Sequence, residues 1–194
     1  MSRGQLTIVG MLGLALMAAS FALWWRHDQT RRTLGFWGPT ASRLIVSAEN
    51  VELMLLEPVV DPMESETAEQ VFARIDGVPY RLILKKNVNK APGFLNARYA
   101  LTMDRSYDWQ GEPSSCEPTW QHALRFSDEA DEKTILFCFT CGTARRLDSP
   151  RAVGIQRIAS SLKKVMDEQL NDESADSTKD NVTKASEAAA ASSQ

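Results

Sequence analysis

The sequence predicts an α+β domain, an antiparallel sheet with helices on one face, set between an N-terminal transmembrane helix and a disordered C-terminal tail. Three patterns carry this. Residues 6–25 form an uncharged run, residues 120–126 and 135–141 alternate apolar and polar positions as a hairpin does, and residues 151–170 repeat apolar residues at helical spacing. The expected organisation is a membrane anchor with a basic flank at 1–32, one α+β domain at 33–170, and an acidic, Ala/Ser-rich tail at 171–194.

In the first run only Thr7 and Ser20 are polar. As a helix it would be about 30 Å long, the thickness of a bilayer's hydrocarbon core. It has no polar stripe of the kind a soluble core helix carries. Trp24 and Trp25 suit the interfacial belt, with Arg26 beyond them among the headgroups. Cleavage after Ala22 would leave Leu23, Trp24 and Trp25 exposed at a new N-terminus, so retention as a signal anchor is favoured. Ala15, Ala18, Ala19 and Ala22 make small-residue pairs that allow self-association through the anchor.

Gly35 and the Gly38-Pro39 pair end the basic flank, and a short helix follows around 40–47. Residues 51–57 read as a strand closed by Pro58, and 61–68 as an acidic surface loop. Residues 72–75 and 80–84 are strands around an Asp76-Gly77 turn. Pro92 opens a helix on which Phe94, Ala97 and Leu101 share a face. In the hairpin, matching the apolar faces pairs Phe126 with Ile135, Leu124 with Phe137, His122 with Phe139 and Trp120 with Cys141. The last helix, 151–170, turns Ile155, Ile158, Leu162, Met166 and Leu170 inward. The tail beyond it has almost nothing to bury and is expected to be disordered.

The net charge of −3 sits mostly in that tail, so no basic face is available for nucleic acid. No phosphate-cradling glycine loop, Gly-x-Ser-x-Gly or His-Glu-x-x-His is present, which leaves no catalytic constellation and calls for no cofactor. The aromatic residues Tyr99, Tyr107, Trp109 and Trp120 read as core.

Chemistry centres on Cys116, Cys138 and Cys141. Cys138 and Cys141 have redox spacing, but they lie in a strand pattern that sets residues three apart on opposite faces. Only a turn at 140–142 would bring them together. A metal site would need Cys116, Cys138, Cys141 and His122 to converge, with His122 and Cys141 on the core face and Cys138 turned away. A Cys116–Cys141 disulfide is favoured over both, with three inert thiols as a further alternative. Such a bridge requires an oxidising compartment. It tips the placement to the extracytoplasmic side of the inner membrane, against the charge bias of Arg26, Arg31 and Arg32.

From residue 48 onward the order of features resembles a widespread set of uncharacterised bacterial membrane or envelope proteins. The matching pieces are Val51-Glu52-Leu53-Met54, Ser106-Tyr107, Cys116-Glu117-Pro118, Ala123-Leu124-Arg125-Phe126 and the segment 136–141. The resemblance implies a small bacterial α+β domain held at the membrane, and no activity. The reading that follows is a membrane-tethered, non-catalytic accessory or binding domain whose partner is the membrane or another envelope protein. The alternative is a thiol-based redox or zinc-binding module using Cys116, Cys138 and Cys141.

Overall fold

The computed structural model describes residues 3–59, 71–110 and 116–171. The chain opens with α1 (Arg3–Ser47), a helix with one break at Gly38, where φ is 80° and ψ 166°. That backbone conformation is open only to glycine, and Pro39 restarts the helix as a first-turn residue. The glycine–proline pair therefore kinks a helix that continues to Ser47. After the kink α1 becomes a core helix, with Trp37, Ala41, Leu44 and Ile45 buried. Leu44 and Ile45 each contribute about 2 kcal/mol by leaving water.

Seven strands follow: β1 (Asn50–Pro58), β2 (Val71–Ile75), β3 (Val78–Asn87), β4 (His122–Ser127), β5 (Glu132–Cys138), β6 (Thr143–Arg146) and β7 (Ala152–Gly154). The short helix α2 (Phe94–Leu101) and a 3-10 turn, Asp104–Ser106, lie between β3 and β4, and α3 (156–171) closes the described chain. The strands form one curled antiparallel sheet in the order β2-β3-β1-β4-β5-β6-β7. Period-two alternation sends Val51, Leu53, Leu124, Phe126, Ile135 and Phe137 to the face covered by α1, α2 and α3. The same alternation sends Met54, Leu56, Ala123, Leu136 and Cys138 to the other face. There they pack with Ile75, Tyr80 and Trp120, so the central strands β1, β4 and β5 carry a buried cluster on each face. The Asp76-Gly77 turn joins β2 to β3, with φ 53° and 85° as a two-residue hairpin turn requires.

Among the described residues no helix is long and apolar enough to cross a membrane. This corrects the expected transmembrane helix, single-pass topology and signal anchor. The side chains from Gly10 to Trp25 are exposed on α1. They are also part of a helix that runs on, past Asp28, Arg31 and Arg32, into the domain core. The membrane-interface role of Trp24, Trp25 and Arg26 loses its premise with the span. Trp24 and Trp25 instead pack on Phe21 and are more than half exposed. The loop expected at 61–68 and the tail from 172 onward lie outside the described residues.

The hairpin register also differs, by two residues. His122 pairs with Phe137, Leu124 with Ile135 and Phe126 with Lys133. The connection between the two strands is short. Asp128 accepts from the backbone N–H groups of Ala130 (3.0 Å) and Asp131 (2.8 Å), which closes the loop at residues 128–131. A two-residue slip preserves which face each side chain occupies, so the core pattern was no guide to it. The segment expected to open the last helix instead forms β7, and α3 starts at 156.

Candidate functional site

The Phe36 and Arg32 side of α1, the strand β7 and the residues after the 3-10 turn enclose a groove of about 610 Å³. Asp104 sets α1 against the 3-10 turn. Its carboxylate accepts from the Thr33 hydroxyl (2.6 Å) and from the backbone N–H groups of Thr33 (2.7 Å) and Arg32 (3.0 Å). The Trp109 indole donates to the Asp104 carbonyl at 2.8 Å, which fixes that ring as a wall of the groove. Behind it runs a buried aromatic row. Trp109 packs on Phe36 and on Tyr107, whose hydroxyl accepts from the Trp37 indole at 2.9 Å and donates to the Leu101 carbonyl at 2.6 Å. Burial is the main force pushing the Tyr107 phenol far above its ordinary pKa, so it stays protonated and keeps donating.

Arg32 and Arg151 supply the groove's positive charge. The Arg151 guanidinium lies 5.9 Å from the Phe36 ring centre. Among the described residues neither guanidinium forms an ion pair, although Asp108 also lines the groove. A second cleft, between Asp28, Arg31, Met103 and Arg105, shares Arg32 and Trp109 with the first. Tyr99, Tyr107, Trp109 and Trp120 do not form the single core cluster expected of them. Tyr99 is exposed, Tyr107 and Trp120 are buried on opposite faces of the sheet, and Trp109 faces the groove.

The cysteines pack with the cluster on the sheet's other face, and Cys116 also lines the groove. Cys116 and Cys141 are joined by a disulfide, with Cα atoms 5.6 Å apart. β5 ends at Cys138, and residues 139–142 turn into β6 through Gly142, at φ 63°. That turn brings Cys138 and Cys141 to the same side, correcting the expectation that Cys138 faces away from Cys141. The Cys141 backbone N–H points at the Cys138 sulfur at 3.4 Å, and the free Cys138 thiol is buried.

His122 lies on the opposite face, edge-on to Phe139, with its Nε2 3.3 Å from Asp167 on α3. The four residues considered as metal ligands are therefore split by the sheet. Among the described residues no group of three His, Cys, Asp or Glu side chains could hold a metal ion. Burial depresses the His122 pKa, against the opposing pull of Asp167, and Lys163, itself paired with Asp167, adds to the depression. The neutral ring thus donates from Nε2 to Asp167, while Nδ1 is buried with no partner among the described residues.

Sequence reasoning missed Arg32, Phe36 and Arg151 as groove residues. The one local signal was Pro150 ahead of Ala152-Val153-Gly154, which argues for a short edge strand rather than the first turn of a helix. No protein-family model matches the chain, and no curated protein or solved structure matches it either.

Proposed function

We propose that this is a non-catalytic binding domain of an oxidising, extracytoplasmic compartment, and that the groove beside Trp109 holds an anionic partner. The observation that carries the reading is the pair Arg32 and Arg151. Among the described residues neither cation has a carboxylate partner, and both line a half-open cavity walled by Phe36 and Trp109. With Asp108 also in its lining the groove keeps a net positive charge, and a charged concave site with low-dielectric walls attracts the opposite sign. The Cys116–Cys141 disulfide supports the compartment, because such bridges persist where thiols are not kept reduced. The resemblance to bacterial envelope proteins points the same way. A photo-crosslinking residue placed at the exposed Ala152, which leaves both cations in place, tests this in cells. A discrete adduct that disappears in the Arg32→Glu variant is expected, and no adduct at Ala152 would refute the reading.

A second reading is favoured by the turn that gathers all three cysteines on one side of the sheet. In a thiol relay, the Cys138 thiolate attacks the Cys141 sulfur, a Cys138–Cys141 bond forms, and Cys116 leaves as the thiolate. Peptide mapping after mild thiol exchange separates the two. A Cys138–Cys141 peptide supports the relay, and Cys116–Cys141 alone rules it out.

A further inference from the structure

The free edge of β7 forms one wall of the groove, and its backbone alternation can be read from its partners. The Ile155 N–H donates to the Gly142 carbonyl at 2.7 Å, and Val153 lies opposite Ala144, so these residues face β6. Gly154 faces the other way, because its carbonyl accepts from the Asp108 N–H at 2.9 Å. By the two-residue period of an antiparallel ladder, the N–H and C=O of Ala152 also point away from β6, into the groove. Ala152 is exposed, and no bond to these groups is found among the described residues.

Among the described residues Asp108 bridges β7 at Gly154 alone. Its carboxylate accepts from the Gln110 N–H at 3.3 Å, which turns the chain at residues 108–110. The groove occupies the gap left between Trp109 and Arg151.

Resting on the groove reading above, we infer that the outer edge of β7 accepts an extended acidic segment of a partner protein by strand addition. Its backbone would bond to Ala152. Acidic side chains would meet Arg32 and Arg151, and apolar ones would rest on the Phe36 and Trp109 walls beside them. An extended peptide is favoured over a compact anion because the open backbone groups of Ala152 lie beside Arg151, with Arg32 on α1 lining the same groove.

The test uses the full chain in neutral detergent and a blocked six-residue peptide of alternating Glu and Val. Controls are the same peptide with alternate backbone nitrogens methylated and a Lys-Val version. Binding is read by tryptophan fluorescence and by the Ala152 amide resonance. The Glu-Val peptide is expected to bind, to shift the Ala152 amide and to slow its exchange with solvent. Backbone methylation in the register that removes the Ala152 bond, the Lys-Val sequence and Arg151→Glu should each weaken binding at least tenfold. Arg151 is exposed, so that variant should leave the circular dichroism spectrum unchanged. Equal binding by every methylated register would overturn strand addition and leave the anionic groove standing. Absence of binding by any Glu-Val peptide would overturn the strand-addition site, and an adduct at Ala152 in cells would then show whether the groove reading survives.

Discussion

Arg98 gives the sharpest test of how the domain is held together. It is 8 % exposed and has no carboxylate partner among the described residues. Its guanidinium is spent on the end of α1 instead. Nε donates to the Ile45 carbonyl at 2.7 Å, Nη2 to those of Leu44 (3.4 Å) and Ala48 (3.3 Å), and Nη1 to Asn89 at 3.0 Å. These carbonyls belong to the last turn of a helix, where the backbone leaves acceptors open and the dipole favours a cation. Burial opposes the charge and lowers the Arg98 pKa, but the group stays ionised. Arg98→Met keeps the aliphatic stem and removes the donors. Leu44 retains the Ala48 N–H at 2.9 Å, whereas the Ile45 and Ala48 carbonyls lose their Arg98 bonds. At about 1–3 kcal/mol for each buried acceptor left open, less what is regained by not desolvating a cation, the net loss is about 3 kcal/mol. Urea unfolding followed by tryptophan fluorescence measures it, and the corresponding fall in Tm is about 10 °C for a domain of this size. Arg98→Lys retains the charge without the planar fork and should recover less than half. A loss under about 1 kcal/mol for Arg98→Met would refute the capping argument. Full recovery by lysine would show that the helix dipole, not the bond pattern, is what the residue serves.

Three further outcomes are expected. Replacing Cys116 and Cys141 together by serine opens a closure spanning 25 residues and should cost about 3.5 kcal/mol on the chain-entropy account, so an unchanged urea midpoint would rule out a stabilising staple. Because the folded His122 pKa is depressed, the unfolded chain takes up that proton first; its stability contribution is complete above the ordinary value of 6.5 and is lost as pH falls toward the folded value. His122→Phe should flatten that slope between the two, and an identical pH profile would contradict it. Gly38→Ala puts a side chain where φ is +80° and a Cβ would stand 3.3 Å from the Arg146 guanidinium, which itself donates to the Trp37 carbonyl; a loss of about 1–3 kcal/mol on thermal melting is expected, and a neutral variant would show that the kink relaxes freely.

The elements legible in the sequence were those whose cause is local. The Asp76-Gly77 turn, the helical spacing of Phe94, Ala97 and Leu101, and the alternation through 120–126 and 135–138 each reflect a single backbone period, and the structure has a turn, a helix and strands there. Register was not local. The apolar positions of β4 and β5 fit equally well two residues apart, and the choice fell to the Asp128 carboxylate closing a short loop. The Gly38-Pro39 pair carried an ambiguous signal, since the same two residues end one helix and start another. Only the burial of Trp37 and Ala41 on either side of the break shows that both halves belong to one path.

The groove was illegible for a stronger reason. Arg32, Trp109 and Arg151 come from three segments, and none sits in a motif. Each has an ordinary local role: a charge on a helix, an aromatic after a turn, a residue before a strand. They become a site because Asp104 ties α1 to the 3-10 turn and because Asp108 bridges β7 at Gly154. The cysteines show the converse. Their spacing was conspicuous, yet their arrangement turned on Gly142, whose positive φ lets the chain reverse between Cys138 and β6 and set Cys141 beside Cys116. In both cases the deciding residue was a small or acidic one that shapes the backbone, while the residues bearing the chemistry were carried into place by it.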